Sequence, residues 1–241
     1  MAQSGNEGKT GGWPASNLRA IFDDQYVLLL AVRPGDETLC CGGFIAESCA
    51  RGRPPFVCIV TDGSSDATTV HSPDQVAQWR AERSRAATAM LDLPEERLLL
   101  FGLYDDSVPQ ADALFERLVG AVADIARRYD CNVLCAPFQP QPDGDYFAVH
   151  RLAQAVAARA DLNLIWYGSL AGLPDQNDVN GYEIRRLDIA GHVARKRTSV
   201  QTVNMQALQS PRTSERSTEN DTPFETFLLH TPEKDAMTFG A

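Results

Sequence analysis

The chain has 241 residues, 44% of them apolar, and a formal charge of −10 at neutral pH. That is enough apolar material to bury one full core, and the acidity speaks against a protein that neutralises nucleic-acid phosphates. No apolar run reaches the roughly 18 residues that a membrane span needs, so a membrane-spanning protein is not expected.

The polar opening, residues 1–12, lacks the apolar core of a signal peptide, and a cytoplasmic location is expected. Residues 1–16 read as a disordered tail and 17–241 as a single domain. In chain order, short Val/Leu/Ile-rich runs at 26–33, 56–61, 97–103, 132–137 and 162–167 read as buried parallel strands. Amphipathic helix patterns at 43–51, 74–91, 111–129 and 146–160 separate them. Strictly alternating strands and helices predict an α/β domain with a Rossmann-like, mostly parallel sheet flanked by helices. Residues 207–223, rich in Ser, Thr, Glu and Arg, read as a mobile loop. The six cysteines, Cys40, Cys41, Cys49, Cys58, Cys131 and Cys135, lie mostly inside apolar runs and read as reduced, buried thiols. Cys131 and Cys135 bracket a strand pattern whose alternation would leave both thiols on one face, a core arrangement more than a metal site.

Ligands of such sheets sit beyond the carboxyl ends of the strands, so the loops there carry the function. The first strand runs into Arg33-Pro34-Gly35-Asp36-Glu37, then Gly42-Gly43; the second ends in Thr61-Asp62-Gly63. Arg80-x-Glu82 opens an Ala-bearing helix, Asp105-Asp106 follows the third strand, and Asp143 to His150 leads into the last helix pattern. Together, in this order, these signatures resemble the PIG-L/LmbE-like family of zinc-dependent N-deacetylases. There the opening loop reads Ala-His-Pro-Asp-Asp-Glu and the late loop His-Pro-Asp-His. Lys196 and Gln206 match the ends of the family's Lys-(x)n-Ser-Gln helix, with Met205 in place of the Ser.

The resemblance implies two zinc ligands and a base in the first loop and a further His ligand in the late loop. Carried over, the ligand positions hold Arg33, Asp36 and Tyr146, and the base position holds Gly35. A guanidinium carries only donors and cannot ligate a cation, Gly35 has no side chain, and a neutral phenol is a poor zinc ligand. The family's second late His, which stabilises the oxyanion, maps to Asp143, where a carboxylate would repel it. Zinc is therefore not expected as a cofactor. His150 lies one turn beyond Tyr146, roughly 6 Å deeper along the helix, and reads as a packing residue; His71 reads as an ordinary loop residue.

Two expectations follow for Arg33: it pairs with Asp36 in the metal's place, or it points to solvent. Arg80, Asp62 and Glu37 line the implied pocket, Asp143 and Asp145 add acidic charge, and Asp145 also reads as a helix cap. Such loop carboxylates could also gather Mg²⁺ or Ca²⁺. Asp36, Tyr146 and His150 are the candidate catalytic groups, with Arg33 near enough to lower the phenol's pKa. The expected function is a PIG-L/LmbE-like protein that has lost zinc-dependent deacetylation and binds a small sugar-like or amide-bearing molecule, or a protein partner. The alternatives are a metal-independent enzyme on such a molecule and, last, a deacetylase with displaced ligands. Self-association is open.

Overall fold

A computed structural model of the chain describes residues 18, 25–66, 71–142, 144–168, 181–204 and 222–230. The expected tail at 1–16 and all but the last two residues of the expected loop at 207–223 lie outside them. Strands apolar on both faces need cover on both faces, and that requirement organises the fold. Strand β1 (Val27–Ala31), β2 (Phe56–Thr61) and β4 (Val133–Phe138) are buried at every position. They form the centre of a seven-stranded sheet with β3 (Leu98–Leu103), β5 (Asn163–Gly168), β6 (Tyr182–Asp188) and β7 (Phe224–His230), in the order β3-β2-β1-β4-β5-β7-β6. The first five strands run parallel to one another; β7 runs antiparallel to both β5 and β6.

Helices α1 (Asp36–Ala50), α2 (Pro73–Met90) and α5 (Val193–Asn204) pack together, as do α3 (Ala113–Arg128) and α4 (Gly144–Ala160). Two apolar clusters result, one holding Leu28, Leu30, Val122, Leu134 and Leu152, the other Leu29, Phe44, Ile45, Ile59 and Phe227. Cys131 belongs to the first and Cys135 to the second, so the thiols do not share a face. The reason is local: Cys131 precedes β4, and strand alternation does not extend to it.

The strand and helix patterns match the observed elements to within two residues, with one informative exception. Helix α1 begins at Asp36, seven residues before the predicted start, but is interrupted at Cys41 (φ −130°, ψ 16°). Beyond the break the amides of Gly43 and Phe44 donate to the Glu225 carboxylate at 2.7 and 2.8 Å. Such amides open a helical segment without partners of their own, and an anion satisfies both. Lys196 closes the arrangement, its Nζ 2.7 Å from Glu225 Oε1. Strands β6 and β7 carry no clean apolar pattern in Tyr182–Asp188 and Phe224–His230, and β6 has a half-polar burial profile because it is the sheet's edge.

Candidate functional site

The strand order reverses between β1 and its neighbours β2 and β4, so the segments leaving β1 and β4 diverge and open a cleft at their carboxyl ends. The loop after β1 and the first turn of α4 face one another there. Gly35 sits at φ +108°, a left-handed conformation that lets the chain turn directly into α1. The first turn of that helix is acidic: Asp36 Oδ2 accepts from the Arg33 amide at 3.0 Å, and Glu37 Oε2 from the Gly35 amide at 2.7 Å. These contacts tie the carboxylates to the loop and to the positive end of the helix.

Arg33 neither pairs with Asp36 nor points freely to solvent. Its Nε lies 3.4 Å from Asp105 Oδ2. Asp105 prevails because the turn after β2 fixes it: it accepts from the Gly63 amide (3.2 Å), the Ser65 amide (3.1 Å) and the Ser65 hydroxyl (2.5 Å). Burial raises the Asp105 carboxyl, but these bonds and the Arg33 charge outweigh it and hold the pKa below the usual range. Asp36 is instead taken by the Tyr146 hydroxyl, which donates to its Oδ2 at 2.8 Å. Burial raises the pKa of Asp36 despite these bonds. The phenol is likewise pushed up, first by burial and then by the Asp36 charge, and these outweigh the lowering that Arg33 contributes.

Arg80 lies against the same turns, with its Nη1 3.5 Å from the Pro34 carbonyl and its Cδ filling the space where a side chain on Gly63 would begin. Glu37 is fully buried; its Oε1 accepts from Ser84 (2.8 Å) and Thr38 (3.2 Å). Burial lifts its pKa to about 7. Asp145 does not act as a cap ahead of α4. It lies inside the first turn and reaches across to the loop after β3, accepting from the Asp106 amide (2.7 Å) and the Val108 amide (3.2 Å). Asp62 turns back on its own loop and accepts from the Ser64 amide at 2.9 Å.

His150 makes none of these contacts. Its ring stacks on Trp166 at 4.0 Å and its Nδ1 faces the Pro137 carbonyl and the Gln139 amide; burial lowers its pKa. His71 packs edge-on against Trp79. Asp143 lies outside the described residues. Three residues enter that sequence reasoning did not single out: Ser84, one helical turn after Arg80; Ser65; and Val203. The Cγ1 of Val203 stands 2.5 Å from the point where a Cβ on Gly35 would lie. Gly35 was its only sequence signal, because a vanished side chain leaves space that something must fill.

Of the positions at which the resemblance implies metal chemistry, one, Asp36, offers a carboxylate, and its Oδ2 already accepts from the hydroxyl of Tyr146 and the amide of Arg33. Arg33 presents donors alone, Tyr146 a half-buried phenol bonded to Asp36, and the space beside Gly35 is filled by Val203. Among the described residues no three His, Cys, Asp or Glu side chains are grouped to hold a metal ion. Of the three ligand positions that the resemblance implies, Asp36 alone carries a group that ligates zinc in its ordinary ionised form.

The family described as PIG-L, GlcNAc-PI de-N-acetylase, matches residues 28–157, more than half of the chain. Comparison with curated protein sequences gives no match. Among solved structures, N,N'-diacetylchitobiose deacetylase from Pyrococcus horikoshii is similar over 91% of each chain, with a TM-score of 0.68 and 15% identity. The conserved protein TT1542 from Thermus thermophilus is similar over 90% of this chain and all of its own (TM-score 0.62, 18% identity). The 4-carboxy-2-hydroxymuconate hydratase GalB from Pseudomonas putida covers 90% of this chain and all of its own (TM-score 0.59, 15% identity). At these identities the likeness establishes the fold alone.

Proposed function

The chain belongs to the PIG-L family, and from that premise we propose that it has given up zinc-dependent N-deacetylation and keeps its cleft as a binding site for a small molecule. One observation carries this reading: where the family places a metal-ligating imidazole, a guanidinium stands paired with Asp105. A hydrolase of this kind needs an electrophilic metal and a base for the attacking water. Arg33 supplies a fixed positive charge without an open coordination position, and Gly35 supplies no base. What remains is a polar, preformed cleft framed by Arg33, Asp36, Arg80 and Tyr146, suited to binding and orientation.

The test is acetate release from N,N'-diacetylchitobiose with added zinc, the substrate named for one structural relative. The proposal expects no release above the protein-free rate. Zinc-dependent release that Asp36→Asn abolishes would overturn it. A metal-independent enzyme is a second reading, favoured by the Tyr146–Asp36 hydrogen bond, in which the phenol orients Asp36 and that carboxylate, its pKa raised by burial, serves as a general base. Its signature is turnover that persists in a chelator and falls in Tyr146→Phe.

A further inference from the structure

The charges around the cleft are not equally satisfied. On the acidic side, Asp105 accepts three hydrogen bonds and Asp36 two. The basic side is less complete. Arg33 Nε is sealed from solvent without a hydrogen bond, its contact with Asp105 being an ion pair at 3.4 Å. Among the described residues no group accepts from its Nη atoms, while 29% of the side chain remains exposed. Its charged end is therefore held in place yet left open. Arg80 flanks it, reaching the carbonyl of Pro34, the next residue in the chain.

A guanidinium fixed through one edge and open at the other presents a planar pair of N–H donors, a geometry that matches the two oxygens of a carboxylate or phosphate. The neighbouring carboxylates cannot fill it, since the turn after β2 and Tyr146 hold them. Resting on the reading of a cleft without zinc, we propose that its ligand is anionic. A carboxylate or phosphate group is seated on the Nη atoms of Arg33 with Arg80 beside it. The cation that displaced the metal thus recruits the ligand.

Calorimetric titration with inorganic phosphate, acetate and acetamide at constant ionic strength tests this. Acetamide matches acetate in shape and lacks its charge. Saturable binding of phosphate or acetate is expected, with none of acetamide; which anion binds identifies the group the natural ligand carries. Arg33→Gln weakens that binding at least about tenfold, the scale of a lost charge-assisted hydrogen bond. Arg128→Gln, on the exposed face of α3, leaves it unchanged. Arg33→Lys keeps the charge but not the fork and weakens binding several-fold, so the test stands even where the Gln variant fails to fold. Absence of saturable anion binding, or binding indifferent to both Arg33 substitutions, overturns the proposal. Metal content measured on the same sample separates the two readings: metal-free protein without anion binding sinks this inference alone, and one zinc per chain sinks the reading beneath it.

Discussion

Two ion pairs lie against helix α1, and they differ in what they leave open. At the break in the helix, Lys196 and Glu225 are each 4% exposed, and the carboxylate also takes the Gly43 and Phe44 amides. At its N-terminal end, Arg33 meets Asp105 through Nε, and among the described residues no group accepts from its other guanidinium nitrogens. The first pair is closed on all sides and holds the scaffold together. The second is half closed, the arrangement expected where a ligand completes the coordination. Conserving charge while closing or opening one face separates a structural ion pair from a binding one.

The comparison breaks most readily at the closed pair. Glu225→Ala strands a buried ammonium and two helix amides, and a loss of about 3–5 kcal/mol in chemical denaturation is expected. A loss below about 1 kcal/mol would mean that the pair is not closed. Next in size is the packing that replaced a side chain at position 35. Gly35→Ala forces a Cβ into a left-handed backbone against Val203 and costs about 2–3 kcal/mol. Val203→Ala in the same chain recovers part of it, and strict additivity of the two changes would contradict the contact.

Glu37 supplies a pH-dependent contrast. Its folded pKa of about 7 lies above the ordinary 4.5, so the folded state binds a proton that the unfolded state has released between those values. Stability from this group is accordingly present below pH 4.5 and declines as pH rises towards 7. Glu37→Gln, whose amide can bond Gly35 and Ser84 in the same place, removes the decline. The variant gains on the order of 1–3 kcal/mol over the parent between pH 5 and pH 8; parallel stability profiles would refute this. The smallest effect sharpens the comparison at the open pair. Arg33→Ala costs about 1–2 kcal/mol, discounted for its exposure, whereas Arg128→Ala stays within about 0.5 kcal/mol. Equal melting temperatures would place Arg33 among ordinary surface residues.

The sheet's centre was legible because strands such as Phe56–Thr61 are apolar throughout and separated by helix patterns. Its far edge was not: Tyr182–Asp188 alternates charge with Tyr, Ile and Leu at a half-exposed edge, and pairs with β7 from across the chain. Within the cleft, the sequence shows which residues stand at the positions the resemblance implies but not who pairs with whom. Asp36 lies three residues from Arg33 and Asp105 lies 72 away, so proximity in the chain favours the wrong partner. The deciding influence, the turn at Gly63 and Ser65 that fixes Asp105, belongs to a third segment. The role of Glu225 was hidden for the same reason, since the amides it holds open only where the helix breaks at Cys41.

The central claim is that a guanidinium has taken the place of the metal. Its most direct test is elemental analysis of protein expressed with added zinc and purified without chelator or metal-affinity tag. The account predicts zinc well below one equivalent per chain, unchanged in Asp36→Asn. One equivalent in the parent protein, lost in Asp36→Asn, would contradict it.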